Sequence, residues 1–305
     1  MGIRMEPVAA IEFSEVSPKR SEFSRIMRVI FRRKLSLAGI IIIILFILTA
    51  IFAPWLAPYD PYLMDTPNQL QHPSLTHLLG TDLLGRDTFS RLLYGARTSL
   101  LVGLGAVGIG VIVGQTLGLI AAYFEGVASA VIMRFIDALM AVPGMLSALV
   151  LASILGGGIK NVIVALGVAV LSGHCRLMRS QALTVKQNDY VLAGRAMGVS
   201  DLRMIVRHIL PNSFPPLLVL ITMDLGVVIT AEAGLSFLGM GIAAPGAAWG
   251  SMVADGYRYL LTLPVLSFAP GLALMLVVFG FNMAGDGLRD ALDPRLRGTL
   301  GETGK

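Results

Sequence analysis

Cysteine is almost absent from this chain: Cys175 is the only one among 305 residues. A single thiol excludes an internal disulfide framework and argues against a metal cluster built on cysteine. Charge is scarce as well, at 14% Asp, Glu, Lys and Arg, against roughly 25% in a typical soluble domain. The four histidines, at 72, 77, 174 and 208, include no H-x-x-x-H pair and read as polar loop or end-of-span residues rather than ligands. The sequence holds no G-x-x-x-x-G-K-[ST] phosphate loop, so any ATPase working with it sits elsewhere. No repeat of solenoid length is evident.

Apolar residues fill the space that charge leaves. They make up 55% of the chain, and the mean hydropathy is +0.76. The composition predicts an all-α, polytopic membrane protein. A hydrocarbon core about 30 Å thick takes about 20 apolar residues per helix. Six stretches qualify, at about 35–57, 98–124, 131–155, 159–178, 214–239 and 262–285. Residues 1–34 form a basic leader, 35–290 a transmembrane domain and 291–305 a tail. A cleaved signal peptide competes for the first apolar stretch, but the long leader favours an uncleaved span.

Two polar segments, 60–97 and 240–261, fall on one side of such a bundle. The first ends in a predicted short helix that crowds Asp82, Arg86, Asp87 and Arg91 to one side and could rest Leu83, Leu84, Leu92 and Leu93 on the membrane surface. Span two is glycine-rich, with G-x-x-x-G pairs at 110/114 and 114/118 that favour close helix packing. Arg134 and Asp137 read as a structural pair, as do Asp286 and Arg289, and Pro143 reads as a packing kink. Positive residues favour the cytoplasm. The two termini and the polar island at 176–207 carry eighteen, against four in the segments 60–97 and 240–261 of the other side. Both termini are therefore expected in the cytoplasm. This clustering along one membrane face also argues against a nucleic-acid role.

The chain is organised around 189–213, a polar island between apolar runs. Asn188 and Asp189 offer an N-cap, and a helix carrying Tyr190, Ala193, Gly194 and Met197 on one mostly small face ends at Gly198. Ser200 or Asp201 caps a second helix, which Pro211 is expected to close. There Leu202, Ile205, Val206 and Ile209 form one apolar stripe. The island reads as a docking knuckle facing the cytoplasm. By periodicity alone it reads equally as an ordinary amphipathic loop.

These residues carry a family likeness. The island resembles the E-A-A loop of permease subunits of ATP-binding-cassette importers, through Ala193, Gly198, Arg207–His208–Ile209 and Leu210–Pro211. Three further stretches, GTDLLGRDTFSRLLYGAR, AEAGLSFLGMG and GDGLRDALDPR, are similar to the second permease of the dipeptide, oligopeptide and nickel group. Two positions depart from the loop pattern: Leu192 replaces the usual glutamate and Gly194 the second alanine. A proline-rich outer pattern is reduced to Ala244, Pro245, Ala247, Trp249 and Gly250.

The resemblance implies a type I importer-like fold of six transmembrane helices with a two-helix coupling loop in a bacterial inner membrane. It implies a second homologous permease, two ATP-binding subunits docked on the knuckle, and an extracytoplasmic solute-binding protein. Asp82, Arg86, Asp87, Arg91 and Trp249 become candidate contacts for that binding protein. No catalytic residue, metal or cofactor is implied. Di- and oligopeptides are the first expectation for the solute, with glutathione and nickel complexes as alternatives.

Asp224 and Glu232 lie inside the fifth span, where a carboxylate usually faces a cavity or a partner. Asp224 is a candidate for lining the solute path, and Glu232 for tying spans together. They are also the only coupling groups available to an ion-driven secondary transporter. An intramembrane enzyme would have to use His174 with Ser172, which point to different sides of a helix.

Overall fold

The computed structural model describes residues 33–242 and 244–292, together with 27, 30 and 31. Most of the basic leader and almost all of the tail lie outside the described residues. Among those described, all regular elements are helices, and the one extended pairing is an isolated bridge between Thr81 and Asp87. Five helices are long and apolar enough to cross a membrane, and a sixth span is made by a bent pair.

The first span, α1 (Lys34–Leu56), packs along α9 (Val265–Leu292). A side-chain carbon on Gly39 would stand 2.8 Å from the Gly280 carbonyl, so the two backbones touch where neither has a side chain. The bridge at this end runs from Arg33 to Asp290. Asp286 and Arg289, expected as partners, form no ion pair with each other among the described residues.

Helix α2 (Thr88–Tyr123) runs for 36 residues, well beyond its expected start near 98. Asp87 caps it, accepting from the Ser90 amide at 2.7 Å. That cap sets the helix start inside the polar segment and absorbs the short surface helix expected there. Leu93 is consequently buried rather than laid on a membrane surface. Midway, Gly110–Gln115 widens into a π turn. The glycine pairs of this span work internally, against α5 (Ile159–Lys186). A side chain at Gly114 would strike the Leu171 carbonyl at 2.5 Å, and one at Gly118 would strike the Cys175 carbonyl.

The third span is not a kinked helix. It is two helices, α3 (Val127–Met140) and α4 (Gly144–Leu155), meeting at 87°. Pro143 has no amide hydrogen and keeps Val142 out of helical geometry, so the first helix stops and a new one begins. The Arg134–Asp137 pairing does not form either. Asp137 reaches across to Arg176 of α5 at 2.6 Å instead.

The knuckle begins with α6 (Asp189–Ala196). The helix ends in a glycine-closed turn in which Val199 donates to the Gly194 carbonyl at 3.1 Å and Gly198 donates to Arg195 at 3.0 Å. Gly198 has φ +78°, a conformation glycine enters without strain. Ser200 occupies the next N-cap position. From there α7 (Asp201–Phe237) runs unbroken for 37 residues. Pro211 therefore does not close the knuckle's second helix. A π turn at Ile205–Ile209 moves the hydrogen bonds to i→i−5, with the Leu210 amide reaching the Ile205 carbonyl, and the proline falls in the first turn of the next α-helical stretch. A proline in a first turn lacks an amide hydrogen that would in any case go unpaired.

A short helix, α8 (Trp249–Tyr257), completes an outer lobe with the 57–87 loop.

Candidate functional site

The knuckle is assembled by an apolar core below it. Val191, Met204 and Ile209 pack with Tyr123, Met178, Val185 and Leu217. Gly194 faces inward, where a side chain would collide with the Met204 methyl at 2.6 Å. Its small size therefore serves an internal contact rather than the approach of a partner backbone. The stripe on α7 is divided: Ile209 is buried and Ile205 half-buried, while Leu202 and Val206 are exposed. With Tyr190, Leu192, Ala193 and Met197, those two form an exposed, mostly apolar tip.

The tip is fastened to the end of α2. The Tyr123 hydroxyl donates to Asp201, and the Arg195 guanidinium lies 5.0 Å from the ring centre. Lys186 donates to the last carbonyls of α2, at 3.2 Å to Ala122 and 3.1 Å to Tyr123, and to Glu125 at 2.7 Å. A cation on unpaired C-terminal carbonyls also complements the helix dipole. The Lys186 hydrogen bond and charge hold the Glu125 carboxyl below the usual range.

The charged residues of the outer lobe face one another. Arg86 bonds Asp82 at 2.7 Å, and Arg91 stands 3.4 Å from the same carboxylate. Arg91 also donates to the carbonyls of Pro61, Pro245 and Gly246. Asp87 caps α2 and holds His77 at 2.8 Å. Trp249 donates to the Leu92 carbonyl at 2.9 Å and fills the space above Gly95. Burial pushes the nearby Asp255 carboxyl up, against the pull of Arg86 and Arg91. All five expected binding-protein contacts are thus buried and knit segment 60–97 to segment 240–261. They offer no surface, because the charges are paired inside the lobe, where only Nη1 of Arg86 among their buried charged atoms lacks a hydrogen-bond partner.

The two carboxylates of the fifth span are not brought together. Glu232 is fully buried and accepts from Ser236 at 2.6 Å, and Ser236 in turn accepts from the Ile242 amide at 3.1 Å. This chain braces the outer turn after α7. Asp224 faces a cavity of about 340 Å³ between the α3–α4 bend, α5 and α7. Its Oδ2 lies 3.1 Å from Nε2 of His174, which is itself completely buried. The Nδ1 atom of that ring contacts the Gln115 amide at 3.3 Å. An adjoining, largely apolar cavity of about 580 Å³ shares Gly144, Ala169 and Val170.

His174, read from the sequence as a polar loop or end-of-span residue, lies buried in the middle of α5. Its signal was its place in a stretch, 161–175, free of other charge, since an ionisable group at membrane depth is rarely idle. The partner, fifty positions on, was not readable from spacing.

A bundle of apolar spans carrying an exposed two-helix knuckle defines a polytopic, all-helical membrane protein. Comparison with known proteins gives the family. Residues 114–298 match the binding-protein-dependent transport system inner membrane component family, and residues 21–73 match the N-terminal transmembrane domain of oligopeptide transport permease C. The chain belongs to that family, as a multi-pass inner-membrane permease of the ATP-binding-cassette importer type. It is 41% identical to the dipeptide transport system permease protein DppC of Alkalihalophilus pseudofirmus, over 94% of this chain and 93% of the relative. It is 40% identical to the glutathione transport system permease protein GsiD of Pectobacterium atrosepticum, over 91% and 93%. The inward-facing MetNI methionine ABC transporter shares the fold, with TM-score 0.54 and 18% identity over 67% of this chain and 96% of that one.

Proposed function

We propose that this chain is one of two permease halves of a binding-protein-dependent, ATP-driven importer, and that it carries di- or oligopeptides across the bacterial inner membrane. The observation that carries the coupling role is the exposed tip formed by Tyr190, Leu192, Ala193, Met197, Leu202 and Val206 on a rigid turn pinned to α2. Solvent does not favour such a cluster on a soluble surface, and a partner subunit does. Leu192 adds apolar contact where the family pattern has a carboxylate. An exposed ion pair is worth only about 0–1 kcal/mol, so its loss is compatible with firm docking.

In this reading two ATP-binding subunits grip the knuckles of the permease pair, and both termini lie with the knuckle in the cytoplasm. Solute arrives from an extracytoplasmic binding protein at the outer lobe, on exposed residues such as Leu75 and Leu261 rather than on the buried charge cluster. The paired cavities beside the α3–α4 bend lie on the path, with Asp224 in their wall. Relatives named for dipeptide and for glutathione transport favour a solute built on peptide linkages. Glutathione itself is the second reading, and nickel complexes have no observation in their favour.

Leu202→Cys in a Cys175→Ala background is expected to cross-link to the ATP-binding subunit. Labelling of residues 190–210 from outside intact cells would place the knuckle on the wrong side and defeat the assignment. Uptake that persists without the ATP-binding subunits would favour an ion-coupled transporter instead.

A further inference from the structure

His174 lies fifteen residues into α5, about 22 Å along a helix axis, and is completely buried. A polar ring at that depth is costly unless it has partners. Its ring is seated in a slot made by the glycines of the π turn. A side-chain carbon on Gly110 would lie 2.7 Å from the ring Cδ2, and one on Gly114 would lie 3.0 Å from the His174 Cβ. Gln115, from the same turn, contacts Nδ1 at 3.3 Å. The ring is therefore fixed from two sides, with Nε2 left for Asp224 at 3.1 Å. That contact is close but not aligned as a hydrogen bond, so the fixed ring bounds where the carboxylate can sit and leaves its lone pairs free.

Asp224 is the only charged side chain in the wall of the 340 Å³ cavity. The other polar side chains there are the hydroxyls of Ser147 and Ser172, and the rest of the lining, including Pro143, Gly144 and Gly173, is uncharged. A lone carboxylate in such a wall gains most from a cation. The two hydroxyls can accept hydrogen bonds beside it, and an ammonium group has three donors to place. The volume falls within the range of small-ligand pockets.

Resting on the importer reading, we propose that Asp224, positioned by His174, recognises a primary ammonium group on the passing solute, such as the free amino terminus of a peptide. Glu232, fully buried and outside the lining of both cavities, has no such role.

The test uses the complete transporter in proteoliposomes, with partner permease, ATP-binding subunits and binding protein. Maximal uptake rates are measured for trialanine and for its des-amino analogue, each saturating the binding protein. Asp224→Asn is expected to collapse the trialanine to des-amino ratio roughly tenfold or more, as loss of a hydrogen-bonded charge contact implies. ATP hydrolysis stimulated by loaded binding protein should persist, and Asp224→Glu should recover part of the ratio. His174→Leu is expected to lower the same ratio, whereas a merely structural role would slow both solutes alike. An unchanged ratio in Asp224→Asn with uptake intact overturns the inference alone. No ATP-driven uptake by the wild-type complex overturns the importer reading and this inference with it.

Discussion

The guanidinium of Arg195 lies 5.0 Å from the centre of the Tyr123 ring, while the hydroxyl of that ring donates to Asp201. One residue at the end of α2 thus holds both helices of the knuckle, since Arg195 belongs to α6 and Asp201 opens α7. Tyr123→Phe keeps the ring and loses one hydrogen bond, a cost of about 1 kcal/mol. Tyr123→Ala also empties a core position, at about 3 kcal/mol. The ratio of uptake to ATP hydrolysis should fall slightly for Phe and steeply for Ala, with the protein still inserted. Equal coupling in both variants would show that the tie is not used.

Gly198 closes the knuckle turn at φ +78°, and a side-chain carbon placed on it would meet no neighbouring atom within 4 Å. Space is not the constraint; backbone geometry is. Gly198→Ala should cost about 1 kcal/mol and retain transport. Gly198→Pro fixes φ near −65° and removes the amide that bonds Arg195. It should leave membrane insertion intact and abolish ATP-driven uptake, and normal uptake by the proline variant would contradict this.

At Gly118 the constraint is space. A side chain there meets the Cys175 carbonyl and, at 3.0 Å, the Met178 Cβ. Gly118→Val should separate α2 from α5 and lower stability by about 1–3 kcal/mol, read as a lower melting temperature in detergent. Gly126→Val, with open space but positive φ, should show backbone strain without helix separation in cross-linking between the two spans.

Arg86 and Asp82 form a buried pair, and Arg91 shares the carboxylate. Arg86→Leu should lower stability by about 3 kcal/mol by weakening the compensation of a buried charge. The double change Asp82→Asn with Arg86→Leu should cost less than the sum of the single changes. Strict additivity, measured by chemical denaturation, would mean that the two residues act independently.

The spans were legible because uncharged runs such as Leu35–Tyr59 have one stable solution in a bilayer, and the knuckle was legible because Gly198 interrupts a helix between capping residues. What remained hidden depended on contacts at long range. Pro211 reads as a stop until the preceding π turn shifts the hydrogen bonds past it. Asp137 has a partner one turn away in sequence but finds Arg176 in space. Asp82, Arg86, Asp87 and Arg91 read as exposed because charge usually is, whereas here all four are buried, with both arginines on Asp82 and Asp87 on His77 and the Ser90 amide. His174 and Asp224 are joined only by the packing of α5 on α7.

Because α7 passes without a joint from Asp201 to Phe237, it is a crankshaft. Leu202 and Asp224 are separated by about 33 Å of continuous helix at 1.5 Å per residue. Tilting that shaft by only about 10° shifts one end by about 6 Å relative to the other, on the order of a water molecule's diameter and more. The π turn at Ile205–Ile209 and the prolines at 211, 215 and 216 lie along the shaft without dividing it, so opening and closing at the carboxylate should keep time with whatever grips the far end.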